Sequence, residues 1–238
     1  MISVGGAFAL VFIITFFMAA YMNEYNYTAM NNFHQVAFVL LFFSGAIWIA
    51  GHAYQDMNTT EKATNQLMIP ASRLEKFLVP WIFSSVFWIL AISILYTLYA
   101  SLLNSLWGLI FGLPFGFFDV LSLTRESDWW NLIQAYFLVH SAFFLGGLAF
   151  RTYPLGKTIL SGFVVNILFT SIAAITGLIL VGNNLEEFFD SDIDEKIRVY
   201  INEDTARLLE HWVKVFFTLF LPLVFYTSAY FKLKEREV

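Results

Sequence analysis

The chain has 238 residues, of which 59% are hydrophobic and 13% charged, and its formal net charge is −5. A soluble domain carries about 25% charged residues, so this balance argues against a water-soluble enzyme, and the acidity argues against a nucleic-acid binder; disorder is excluded because it needs low hydrophobicity. The absence of cysteine removes a disulfide framework, a thiolate nucleophile and any Cys-ligated metal.

Six apolar runs, each of 19 to 25 residues, are long enough to cross the membrane as helices: 2–22, 33–53, 79–103, 132–150, 158–181 and 212–231. A hydrocarbon layer about 30 Å thick needs about 20 residues rising about 1.5 Å each. The runs lack the alternation of a membrane barrel. The predicted fold is therefore an all-α membrane protein, with residues 1–238 forming a single transmembrane domain of six helices. The first run has no Lys or Arg ahead of it, unlike a secretory signal, and is expected to be a retained span.

The loop after the second run, 54–78, is polar and holds Pro70. Thr59 or Thr60 can cap a short helix, with Glu61 in its first turn, where the helix dipole favours an acid. Ala63, Leu67 and Met68 then share one side, which predicts a short amphipathic helix lying on the membrane face. Ser72-Arg73-Leu74-Glu75 has the spacing of a capping box, so a second helix is expected to start there and enter the third span. Beyond that span, 105–119 is apolar but carries Gly108, Gly112, Pro114 and Gly116. It reads as a short re-entrant or interfacial segment.

His140 is the one ionisable side chain near the centre of a predicted span. Among Phe and Leu it is expected to hydrogen-bond a neighbouring helix rather than to serve a proton relay. Ser141 and Asn166 are polar candidates for the same helix packing, or for lining a pathway. Gly156-Lys157-Thr158 imitates the end of a phosphate loop, but Arg151 stands where the first glycine is needed. Asp190, Asp192 and Asp194 alternate as in a calcium loop, yet Glu195 and Ile201 stand at the positions that need Gly and Glu. No H-E-x-x-H pair exists, so no metal site and no catalytic residue are assigned. Asn26-Tyr27-Thr28 and Asn58-Thr59-Thr60 fit the glycosylation triplet, which is common by chance. The acidic stretch 183–211 ends in residues 204–211, which are expected to be helical and to run into the last span.

Eight of the thirteen basic residues fall on the side that holds both termini: Lys62, Arg73, Lys76, Arg151, Lys157, Lys232, Lys234 and Arg236. Positive residues mark the cytoplasmic side, which predicts cytoplasmic termini. Tyr21, Tyr25, Tyr27, Trp129, Trp130 and Trp212 then lie at outer span ends, and Trp81, Tyr153 and Tyr230 at inner ones.

In the inner loop, Glu61, Ala63-Thr64, Leu67-Met68 and Pro70-Ala71-Ser72-Arg73 follow one another in a recognisable order. This order resembles the type-2 ABC transporter permeases, whose second loop reads as Glu, Gly-Thr, a Leu-rich helix and Pro-x-Ser-Arg. The run PASRLEKFL at 70–78, the segment 151–158 and the ending YFKLKEREV at 230–238 are similar to one subgroup of that family. The resemblance implies an exporter of the bacterial cytoplasmic (inner) membrane. In it, two permeases, identical or related, sit in lipid above two ABC ATPase subunits. It implies that 59–68 is a coupling helix and that Glu61, Lys62, Thr64, Leu67, Met68 and Arg73 form the surface that docks on the ATPase. It also implies that ATP and Mg are held by the partner subunit, with no cofactor and no enzymatic activity in this chain. Two departures stand out. Ala63 replaces the family's Gly, and the chain begins inside the first span, where the family places an amphipathic cytoplasmic helix, so either the start is truncated or that ATPase contact is missing. The rival reading is a membrane scaffold or regulatory subunit that docks a cytoplasmic partner and moves nothing.

Overall fold

Ser72 caps a helix with a complete capping box. Its backbone is extended, its hydroxyl accepts from the Glu75 amide at 3.3 Å, and Glu75 Oε2 accepts from the Ser72 amide at 2.8 Å. The box satisfies two backbone donors that the first helical turn would otherwise leave open. Ser72→Ala is expected to lower stability by about 1 kcal/mol and to fray residues 73–76; hydrogen exchange of the purified protein in detergent should show faster exchange confined to that turn.

The computed structural model describes residues 27–58, 70–111, 129–181 and 203–236, together with Gly6, Leu10, Ile13 and Ile14. These residues form five long helices and, among them, no strand. Helix α1 is Tyr27–His52, followed by a 3₁₀ turn, Gln55–Asn58. Helix α2 comprises Arg73–Ile82, a π turn at Phe83–Phe87, and Trp88–Phe111. Helix α3 is Trp129–Ala149 and α4 is Pro154–Val181. Helix α5 comprises Glu203–Val215, a π turn at Phe216–Phe220, and Leu221–Arg236. All five are long and apolar enough to span a membrane, and the chain is a multi-pass membrane protein. The expected first span, 2–22, lies outside the described residues apart from Gly6, Leu10, Ile13 and Ile14, which are helical.

Helix α3 lies at the centre, packed against α1, α5 and α4. Lipid tails are as apolar as leucine, so helices in a bilayer associate through close packing and hydrogen bonds. The α1–α3 seam is built for closeness. Ala46, Ala50 and Gly51 of α1 are buried, as are Gly146 and Gly147 of α3. A β-carbon on Gly147 would stand 2.8 Å from the Gly51 carbonyl oxygen. Trp88 closes α2 onto α1 by donating its indole N–H to the Phe42 carbonyl at 3.0 Å.

Pro80 sits inside α2 and offers no N–H to the Lys76 carbonyl four residues earlier. The Tyr54 hydroxyl, projecting from the end of α1, lies 3.4 Å from the carbonyls of both Lys76 and Phe77 and donates to them. That contact lets the helix continue through the proline. The predicted element at 105–119 is corrected in its first part: Ser105 to Phe111 extend α2 without a break, with Gly108 buried inside it. Its remaining residues lie outside the described ones. The expected lead-in at 204–211 is helical and continues into the last span, beginning at Glu203.

Candidate functional site

Three aromatic side chains four residues apart line one face of α3. Tyr136, His140 and Phe144 stack in order, with ring centroids 5.8 Å and 5.6 Å apart. All three are fully buried. Around this ladder lies a polar knot that ties α3 to α2 and α5. His140 Nε2 is 3.0 Å from Ser84 Oγ, and Nδ1 is 2.8 Å from the Tyr226 hydroxyl. Ser84 Oγ donates in turn to the Trp81 carbonyl at 3.3 Å. These partners fit a neutral imidazole: Nε2–H donates to Ser84, and the Tyr226 hydroxyl donates to Nδ1.

The π turn in α2 shapes this site. One widened turn presents two consecutive serines to the bundle, so Ser84 and Ser85 are both buried. The Tyr136 hydroxyl lies 3.3 Å from the Ser84 carbonyl and 3.1 Å from that of Ser85, donating into the loosened ladder. Ser85 Oγ donates to the Trp81 carbonyl at 2.6 Å. Each polar side chain of this knot thus has a partner, as a low-dielectric interior requires. The run of bonds from Tyr226 through His140 and Ser84 ends on a backbone carbonyl, which holds no proton to pass on. The arrangement is suited to fixing three helices in register.

A second polar group joins α1 to α2. His34 Nδ1 is 3.2 Å from the Tyr96 hydroxyl, and Nε2 is 3.2 Å from Asn104 Oδ1. Tyr96 also donates to the His34 carbonyl at 3.0 Å. The two knots lie at different levels of the bundle, and the aromatic stack of Phe38, Phe42 and Tyr136 runs between them.

The other predicted residues are scattered. Ser141 is buried but turns back on its own helix, donating to the Leu138 carbonyl at 2.8 Å. Asn166 lies far from His140 in packing terms, on α4, whose side chains from 159 to 176 are all exposed. Its carbonyl accepts from Thr170 Oγ1 at 2.9 Å. Helix α4 touches the bundle near its start, where Leu155 meets Gly51 and Thr158 meets Gly146. Of the loop residues, Arg73 is the first residue of α2 and exposed. Glu61, Lys62, Thr64, Leu67 and Met68, with the expected helix at 59–68, lie outside the described residues.

Sequence reasoning did not single out Ser84, Ser85, Tyr136, Tyr226, His34 or Asn104. A signal existed for some of them: a Ser-Ser pair and tyrosines deep in apolar runs each carry a hydroxyl that must find a partner away from water. Comparison with protein-family models, with curated proteins and with solved structures gives no match to this chain.

Proposed function

We propose that the chain is the permease subunit of an ABC-type exporter, moving its substrate across the bacterial cytoplasmic membrane under the drive of a separate ATPase. In this reading six spans cross the bilayer, both termini are cytoplasmic, and 59–68 forms the coupling helix. The observation that carries it is the start of α2. The loop bearing the Glu61-to-Arg73 pattern ends on a tight cap at Ser72, and from Arg73 the helix runs unbroken to Phe111. A push on that loop is therefore delivered along a continuous helix that passes through Pro80 and the π turn. That helix is tied to α3 and α5 through Ser84 and His140, so displacement of α2 is passed to the core.

Helix α4 supports a second permease copy, identical or related, as the dimer partner. Its side chains from 159 to 176 are exposed and, among the described residues, uncovered, and Asn166 stands in that stretch. An amide facing lipid is unfavourable, and a partner helix offers it hydrogen bonds. ATP and Mg would be held by the ATPase subunit alone. The largely uncharged span faces suit an apolar or weakly polar substrate.

Deleting residues 59–68 is the direct test. The tagged chain, purified from its native membranes, is expected to carry MgATP hydrolysis. The deletion variant is expected to remain in the membrane and to lose that activity entirely. Undiminished ATP hydrolysis with the deletion variant would overturn the docking role. ATP-driven transport in vesicles reconstituted with the purified complex separates the permease from a scaffold that only docks the same partner.

A further inference from the structure

The buried face of α5 ends on a cation. Ala229 and Leu233 are buried in a cluster with Tyr54, Met57, Phe77, Phe144 and Leu148. Arg236 follows Leu233 by three residues and so shares its face, one turn further along the helix. Its Nη1 is buried and, among the described residues, has no hydrogen-bond partner. The exposed Lys232, by contrast, pairs with Glu235 at 2.7 Å.

Burial already disfavours the charge on Arg236, and the like charge of Arg151 adds to this. Arg151 stands two residues beyond the end of α3, whose Leu148 shares the buried cluster with Leu233 of α5. Arg151 lies in the exposed turn between α3 and α4. Tyr153 has a φ of 52°, a left-handed conformation that side chains with a β-carbon resist, and Pro154 opens α4 directly after it. Lys157 folds back over the same turn, donating to Thr152 Oγ1 at 2.8 Å. Two cations thus stand at the ends of adjoining apolar helices, one with a buried N–H left open among the described residues. An unsatisfied charged donor is costly and like charges repel, so the arrangement is complete only with an anion between them.

We propose that Arg236 and Arg151 form a binding site for a phosphate-bearing anion at this membrane face. The planar fork of arginine matches phosphate oxygens in pairs, and two forks can share one phosphate group. The position, where the apolar part of α5 ends, is that of the lipid headgroups, and basic pockets between span ends are suited to acidic headgroups. The chemistry is that of a phosphate; an acidic phospholipid is the source the location favours, and free phosphate is the other. The site does not depend on the permease reading.

The test uses the full chain purified in detergent. Native mass spectrometry would compare retention of phosphatidylglycerol with that of phosphatidylcholine, and thermal unfolding would be followed with and without millimolar inorganic phosphate. Arg236→Gln is expected to lower phosphatidylglycerol retention about tenfold. Arg151→Gln, on an exposed turn, is expected to do the same without harming the fold, which keeps the test valid if Arg236→Gln unfolds. Lys234→Gln, nearby and of equal charge, is expected to leave retention unchanged. A phosphate-induced rise in unfolding temperature that both arginine variants abolish, without any preference for phosphatidylglycerol, assigns the site to free phosphate. Retention and phosphate response unaffected by either arginine variant, or equally reduced by Lys234→Gln, would overturn the site.

Discussion

Gly147→Leu is expected to prevent α1 and α3 from closing and to lower stability by about 3 kcal/mol, near the upper end for overpacking. The reason is what a side chain would meet. An added β-carbon stands 2.8 Å from the Gly51 carbonyl oxygen and 3.1 Å from that of Ala50. Both obstacles are backbone atoms, so no change of rotamer relieves the clash and the helices must move apart. Moving them opens the seam that seats the aromatic cluster of Phe42 and Tyr136 and loosens the contact between Tyr54 and Phe144. At Gly146 the obstacle is Thr158 of α4, whose hydroxyl and β-carbon both stand within 3 Å, so a side chain there disturbs the α3–α4 contact instead. Gly162→Leu provides the control: nothing lies within 4 Å of an added β-carbon there. Thermal unfolding in detergent, followed by tryptophan fluorescence, should show a fall of roughly 6–12 °C for Gly147→Leu and little change for Gly162→Leu. Equal unfolding temperatures for the two variants would contradict the α1–α3 packing.

The helices were legible because a membrane span needs only length and apolar composition, and both are local properties of sequence. The cap at Ser72 was legible for the same reason, since Ser and Glu three apart satisfy each other within one turn. The amphipathic start of α5 was legible from its polar first half. What composition could not indicate was where a helix survives a local insult. The helix from Ser72 into the third span was legible, but not that a hydroxyl 22 residues away reaches the Lys76 carbonyl that Pro80 leaves open. Ser105 to Phe111 looked separate because of the glycines ahead, and they extend α2 because one helical glycine, Gly108, is tolerated where it is buried. The site was half legible. A histidine within an apolar run must find partners, but Ser84 and Tyr226 lie 56 and 86 residues from His140, and no spacing rule joins residues across three helices. The π turn that aims both serines inward leaves no mark in composition at all.

His140→Ala is expected to cost about 4 kcal/mol, the sum of a cavity left by an aromatic-sized side chain and two hydroxyls stripped of their partner. The two contributions can be separated. His140→Phe keeps a ring between Tyr136 and Phe144, so the stack along α3 survives; what it loses is the bond to Ser84 Oγ at 3.0 Å and the bond to the Tyr226 hydroxyl at 2.8 Å. Ser84 still donates to the Trp81 carbonyl, so the heavier loss falls on Tyr226. Hydrogen bonds between membrane helices are worth about 1–2 kcal/mol each at most, which sets the cost of His140→Phe at about 2 kcal/mol. Removing the stranded hydroxyls as well should then restore stability, because an apolar trio leaves no donor or acceptor unmet. The triple variant His140→Phe, Ser84→Ala, Tyr226→Phe is therefore expected to unfold at a higher temperature than His140→Phe alone, although it has lost more hydrogen bonds. If the knot fixes the register of α2, α3 and α5 rather than supplying raw stability, the triple variant should also lose specificity of packing. Hydrogen exchange along α2, α3 and α5 would then become faster and less uniform than in the parent. A triple variant that is no more stable than His140→Phe would show that the hydroxyls are not stranded by loss of the imidazole, and the three-helix knot would not be the bond set described.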